Sequence, residues 1–431
     1  MSYILRSADF TPGGSPSWPL SQPPRWRGFA GAPAPGFSAA TMWWQPGDVL
    51  ALDFANGRYM REGEAVSLAA VLSASRTSPA TWFTQAGVLQ SFGANVPAIT
   101  DRGLYPGGQR TNLVPNNTYQ GASAGGAFPA GWSAVNAPGV VWSVEGLGTG
   151  VDGLPYIDVR ISGTNSSGTT QFPQVHLVVG TSAITGNLTG SMRLEVLSAT
   201  LAGRVAELNA SATALNIPST DPAVYDVRLT RSFVAGGSLI YRLVSQVNSG
   251  VSIDNRYRLS GIQLEEGDFA SPPIATAGAP ATRLADSITV PDFAAHATAF
   301  GFADGFAGKA ALDLTRLNAS AYRLLLDFGT DLSNRVFLGI APNNTVELSI
   351  KAAAAGPVLN TAALGSTGIH EIEWQVLSGD SFIKVNGTVA ASSSATFTMP
   401  SLTTGYIGQS RSGGSHLNGP LRELHLRGAA A

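Results

Sequence analysis

The sequence contains no cysteine, which removes disulfides, thiolate nucleophiles and thiolate-bound metals together. Charge is scarce as well: Asp, Glu, Lys and Arg make up 13% of the 431 residues, about half of the ~25% usual for soluble domains. Lysine stands only at Lys309, Lys351 and Lys384, so arginine carries nearly all the positive charge, and arginine favours planar, bidentate or stacked contacts. The 26 basic and 28 acidic side chains leave a net charge of -2. Nothing in that balance draws the chain toward a phosphate backbone or an anionic lipid surface, and no nucleic-acid partner is expected. Uninterrupted apolar runs of about 18 residues are missing, and Met1 to Phe10 shows no apolar stretch behind a basic cluster. Neither a signal peptide nor membrane insertion is expected, and the chain is read as soluble when made.

Glycine and proline, by contrast, are plentiful at 50 and 26 residues, while hydrophobic residues still reach 44%. That combination indicates a β-rich globular protein and excludes a disordered one. Residues 11 to 47 hold eight prolines and the tryptophans Trp18, Trp26, Trp43 and Trp44. Proline lacks the ladder donor of an interior strand, so this stretch is read as irregular, draped over a partner or capping the protein's own core. Short strand-like runs follow, such as Asp48 to Phe54, separated by the turns Asn56-Gly57 and Glu62-Gly63.

Period-two alternation then becomes clear. Ile157, Val159 and Ile161 alternate with Tyr156, Asp158 and Arg160; Val175, Leu177 and Val179 flank His176; Tyr225, Val227 and Leu229 alternate with Asp226 and Arg228. Tyr241, Leu243 and Val247 extend the pattern, which predicts antiparallel sheets closing on a shared core. Leu197 to Leu215, rich in alanine and leucine, is the one stretch with helical character. Beyond a Pro- and Ala-rich connector, Tyr322 to Phe328, Val336 to Ile340, Val346 to Ile350 and Ile372 to Val376 repeat the alternation. Phe382 to Val389 reads as a hairpin around Asn386-Gly387, because a type I′ turn needs positive φ at both central residues. The expected fold is all-β: tandem antiparallel β-sandwiches, or jelly rolls, preceded by an irregular Pro/Trp-rich N-terminal segment. The boundaries drawn are a Pro/Trp-rich anchoring segment at 1–47, a small β-rich connecting or base region at 48–115, and sandwiches at 116–275 and 284–431.

Two sets of residues carry a family resemblance. The run Val88-Leu89-Gln90, Ala94-Asn95-Val96-Pro97, Gly103-Leu104 and Gln109 to Leu113 resembles a module of tail-fibre-like and other structural proteins of tailed phages and prophages. Its partner is Leu259 to Gly267, followed by Pro272, Thr282-Arg283 and Ala285-Asp286. In that family the two motifs flank a jelly roll similar to carbohydrate-binding modules. The last block, with the hairpin above, Gly405 to Gly408 and Leu417 to Leu424, is similar to concanavalin/laminin-G-like lectin domains. The resemblance covers roughly residues 75 to 431 and extends to head spikes and fibres of gene transfer agents. It implies synthesis in a bacterial cytoplasm, residence on the surface of a virion or phage-like particle, attachment to capsid or tail proteins through the N-terminal segment, and binding to host cell-surface polysaccharide. Homo-oligomerisation is expected, because several copies turn later weak contacts into intramolecular ones.

Sugar recognition requires flat aromatic faces and planar polar side chains on a rigid support. The candidates are Trp142, Tyr156, Asp158 and Arg160 in the first sandwich, and Tyr406, Gln409, Arg411 and His416 in the second. Trp132 is assigned to the core. No catalytic residues and no cofactor are expected, and the chain is read as not an enzyme: there is no Gly-x-Ser-x-Gly elbow, no phosphate-binding Gly-x-x-x-x-Gly-Lys loop and no zinc-spaced histidine pair. Glu265 and Glu266 point to opposite faces of a strand, whereas Glu371 and Glu373 share one, as do Glu423 and His425. Asp327, Asp331 and Asn334 offer oxygen ligands for calcium at a sandwich rim, although their spacing is not that of an EF-hand. A purely architectural particle protein and a polysaccharide depolymerase acting through Glu371 and Glu373 are the competing readings.

Overall fold

The computed structural model describes residues 43–45, 47–317 and 320–428. The anchoring function assigned to 1–47 falls mostly outside them. Two compact units emerge, each with its own core; residues 110–283 make up most of the first and residues 284–428, joined by most of 43–109, the second. Regular structure is almost entirely antiparallel strand, and among the described residues the helices are two short turns, Leu68–Val71 and Phe293–Ala299. No described helix is long and apolar enough to cross a membrane.

The first unit is a jelly roll of two five-stranded sheets. One runs Val140–Thr149, Pro155–Thr164, Ser252–Glu266, Gly186–Ser198 and Ala223–Phe233 across its width; the other runs Ser133–Val135, Gln174–Thr181, Ser238–Val244, Gly203–Leu208 and Ala210–Ile217. Alternation works as expected: Ile157, Val159, Ile161, Tyr225, Val227, Leu229, Tyr241 and Leu243 all face the core, which also takes Trp132. A bulge between His176 and Val178 turns Val179 outward, since one inserted residue flips the faces that follow. Gly190 lies against the Tyr241 ring, where an added Cβ would sit 3.0 Å from ring carbons, so the close approach of the two sheets there requires glycine.

The stretch Leu197 to Leu215 is not helical. It completes one strand and supplies two more, because Val205, Ala206, Leu208 and Leu215 bury themselves between the sheets. Gly203 (φ 130°) and Asn209 (φ 61°) break the chain at the strand ends, and tertiary burial overrides the helical propensity of alanine and leucine.

The second unit packs a ten-stranded sheet against a seven-stranded one. Strands from the region read as a connector take part directly: Asp48–Asp53 pairs with Leu421–Gly428, and Ser73–Ser75 pairs with Ser287–Val290. Leu50 and Leu52 reach the same core as Leu326, Phe328, Leu348, Ile372 and Trp374. The hairpin Ser381–Val385 to Thr388–Ser393 closes through Asn386 (φ 50°) and Gly387 (φ 79°), as a type I′ turn demands. Tyr322 falls outside its neighbouring strand and stays exposed.

Candidate functional site

The outer face of the first jelly-roll sheet is where polar side chains converge. Burying Ile157, Val159 and Ile161 forces Tyr156, Asp158 and Arg160 onto the opposite, half-buried face, so all three share it as the alternation predicts. The antiparallel neighbour sets Ser260, Arg258, Arg256 and Asp254 beside them. Arg258 donates from Nε and Nη2 to the two oxygens of Asp158 at 2.8 and 2.9 Å. Arg160 grips Asp254 in the same fashion at 2.7 and 2.8 Å, and Arg256 reaches Glu145 at 2.6 Å. Hydrogen bonds from Arg160 hold Asp254 below the ordinary carboxylate range. Such bidentate pairs fix side-chain planes as well as charge.

Tyr156 lies across Gly148 on the adjoining strand, where an added Cβ would meet the phenol at 2.6 Å. The Arg258 guanidinium stacks on the ring, 3.9 Å from its centroid. Beside this stack opens a cleft of about 150 Å³ lined by Gly150, Asp152, Tyr156, Arg193, Glu195 and Arg258, among others. Asp152 accepts from Arg193 at 3.1 Å and from the backbone N–H of Leu154, which pins the turn between two strands. Glu195 stands directly opposite Arg258 in the register. Donors from Arg193 and Arg258 thus face acceptors on Asp152 and Glu195 across one small concavity, the pattern that pairs with adjacent hydroxyl groups.

The other sequence candidates lie elsewhere. Trp142 does not form an exposed platform: it alternates inward with Val140 and Val144 and packs 6.4 Å from Tyr257, ring centroid to centroid. In the second unit Tyr406 is half-buried in the strand Thr404–Ile407. Gln409 is buried and donates to Ser287 Oγ at 3.3 Å; the Arg411 backbone N–H donates to Asp327 at 3.0 Å, and His416 Nε2 lies 2.9 Å from the carbonyl of Asp286. These polar groups stitch a loop onto the sandwich and do not converge on a free surface. Asp254, Arg258, Arg193, Glu195 and Asp152 were not singled out by sequence reasoning. The signal for two of them is the alternation of Asp254, Arg256 and Arg258 with Asn255, Tyr257 and Leu259, which places the charges on one face.

The acidic candidates are engaged internally. Lys309 pairs with Glu371 at 2.5 Å and Lys384 with Glu373 at 3.5 Å, and burial raises the pKa of Glu373. Glu265 is fully buried, also raised by burial, and accepts from the Ser271 backbone N–H, while Glu266 faces outward. Asp327 accepts from Arg335 at 2.9 Å and Asp331 from the Asn334 backbone at 2.9 Å. Among the described residues no group of three or more His, Cys, Asp or Glu is placed to hold a metal ion.

No protein-family model matches the chain, and no curated protein matches it. Solved structures similar to it include domains LG4-5 of the mouse laminin alpha1 chain, at 12% identity and a TM-score of 0.24, over 61% of this chain and 88% of that one. Trypanosoma rangeli sialidase aligns at 11% identity and a TM-score of 0.25, over 64% of this chain and 59% of the sialidase. The same enzyme in complex with the inhibitor DANA aligns at 9% and 0.25, over 85% and 93%. Alignments this loose carry no residue or role across. The expectation that the chain is not an enzyme finds no support in these comparisons, which place sialidases among the neighbours at TM-scores of 0.25.

Proposed function

We propose that the jelly roll recognises carbohydrate through the cleft between Tyr156 and Glu195, and that the chain serves on the surface of a phage-like particle as a fibre or spike attaching to host-cell polysaccharide. The observation that carries the first part is the cleft itself: two guanidinium groups and two carboxylates line one concavity beside an aromatic ring, with Arg258 fixed by its bidentate pair to Asp158 and Arg193 held by Asp152. Sugars offer alternating donors and acceptors on a rigid ring, and fixed planar partners match them without a large ordering penalty. The particle setting is supported by the paired motifs at 88–113 and 259–286, with the N-terminal segment as the attachment to particle proteins and homo-oligomerisation multiplying weak single contacts.

A glycan array probed with the full chain tests the binding. Retention of bacterial surface polysaccharide that drops about tenfold in Glu195→Ala and Arg193→Ala is the expected result, since each substitution removes one charged hydrogen-bond partner. No retention of any glycan by the oligomeric chain overturns the reading. Immunogold labelling of particles from a producing strain tests the location.

A further inference from the structure

The same jelly roll carries a second concavity at its opposite end. Tyr156 and Ser260 pair near the Gly150 to Leu154 turn, whereas Thr164 and Ser252 pair at the far end of the same two strands. There the segment Leu201 to Arg204, the end of the strand Ala210–Ile217 and the loop Gln246 to Val251 enclose a cleft of about 300 Å³. That volume lies at the lower end of small-molecule sites, roughly 300–1,000 Å³.

Its chemistry differs from that of the first cleft. The lining polar side chains are Arg204, Asn216, Gln246 and Asn248, three of them amides and none a carboxylate. Asn216 and Gln246 are exposed and make no side-chain hydrogen bond among the described residues, while Asn248 accepts from Thr170 Oγ1 at 3.1 Å. An amide offers a donor and an acceptor side by side, the complement of a pair of vicinal hydroxyls. Arg204 pairs with Glu207 at 3.2 Å, and its guanidinium sits 5.6 Å from the centroid of Phe172. Phe172, beside this lining arginine, is 45% exposed, and an exposed apolar ring offers a face for stacking. At Gly203 nothing lies within 4 Å of an added Cβ, so the floor is open.

We infer that this cleft is a second carbohydrate subsite, specific for a neutral polyhydroxylated sugar, with Asn216 and Gln246 as hydroxyl partners and Phe172 as the stacking face. The inference rests on the reading of this jelly roll as a sugar-recognising module, but the two sites share no residue and separate experimentally. One local feature underlies the preference for neutral ligands: the three amides of the lining carry no charge, while Arg204 pairs with Glu207, a carboxylate that Arg242 also holds.

The test is surface plasmon resonance of the full chain over immobilised dextran, mannan and polygalacturonate. The expected result is binding to at least one neutral polymer that weakens about tenfold in the double variant Asn216→Ala/Gln246→Ala and in Phe172→Ala, and is unchanged in Glu195→Ala. The isosteric Asn216→Asp, which keeps the fold and replaces a donor by a charge, weakens it as well. Binding that responds only to Glu195→Ala overturns this subsite and leaves the first cleft standing. Binding confined to polygalacturonate, or to none of the three polymers, overturns it too.

Discussion

His425 occupies a position where burial and pairing pull in opposite directions. Its Nδ1 is 2.8 Å from Asp48, its Nε2 is 3.7 Å from Glu423, and Arg427 also contacts Asp48 at 2.9 Å. Trp43 packs edge-on against the imidazole, with ring centroids 6.2 Å apart. Desolvation disfavours the imidazolium, but the bonds to Asp48 and Glu423 outweigh it and raise the pKa from 6.5 to about 9. A raised folded-state value means stabilisation that is complete below about pH 6.5 and is lost as pH climbs through 9. Urea unfolding should therefore show the second unit losing roughly 2–3 kcal/mol between these limits, and His425→Gln should flatten the profile. A variant profile as steep as that of the unchanged protein would sink the assignment. Arg76 and Asp286 form a second buried pair, with side chains 1% and 2% exposed, and Arg76 also donates to the carbonyls of Ser78, Gly93 and Val96. Removing the guanidinium takes the ion-pair partner from buried Asp286, which keeps the Gly107 backbone N–H, so Arg76→Ala should destabilise the second unit by about 3–5 kcal/mol, read as a lowered urea midpoint with unchanged slope.

At the level of elements, the two motifs that carry the phage resemblance turn out to include one another's partners. Arg110–Asn112 pairs with Ala281–Arg283 in a two-stranded ladder. Asn112, fully buried, donates to the carbonyls of Ile262 and Ile274 and accepts from the backbone N–H groups of Val114 and Leu264. Gln263 in the second motif accepts from Ile274 N–H and donates to the Ser271 carbonyl. The motifs thus clasp both ends of the jelly-roll segment, and their polar residues satisfy backbone groups that no sheet reaches. Asn112→Ala removes four hydrogen bonds and deprives the Val114 and Leu264 N–H groups of that acceptor, while the Ile262 and Ile274 carbonyls still accept from Asn117, so a loss of about 2–4 kcal/mol is expected from denaturant unfolding; a change under about 0.5 kcal/mol would show the clasp to be incidental. Strands with one buried face were legible in the sequence because their alternation is a direct print of burial, as at Tyr156 to Ser162 and Tyr225 to Leu229. The turn at Asn386-Gly387 was legible for its backbone requirement alone. Trp142 and His416 were not, since an aromatic or imidazole ring is equally at home in a core or a binding face until the register of its strand or loop is known. The cleft residues Arg193 and Glu195 come from a strand that pairs with one far along the chain, Glu195 standing opposite Arg258, 63 residues on, and no local pattern reveals such pairing.

Over the whole molecule, the scarcity of charge noted in the sequence becomes a statement about how it meets a ligand. Of the arginines on the first jelly-roll face, Arg160, Arg193, Arg256 and Arg258 each hold a carboxylate of the same unit, and the net charge is only -2. Such a surface projects little field beyond a Debye length, about 8–10 Å in ordinary buffers. On the proposed function, encounter with a polysaccharide would be governed by short-range hydrogen bonding and by how many copies engage at once. Raising sodium chloride from about 0.05 to 0.5 M should change the affinity of the full chain for a neutral polymer by less than about threefold, because no counterions are released and no long-range attraction is screened. A protein that relied on unpaired arginines to capture an acidic capsule would lose affinity steeply over the same range, as phosphate-binding proteins do. Surface plasmon resonance at several salt concentrations distinguishes the two, and a fall greater than about tenfold would mean that the arginine pairs open on binding and that the cleft reads charge in place of hydroxyl geometry.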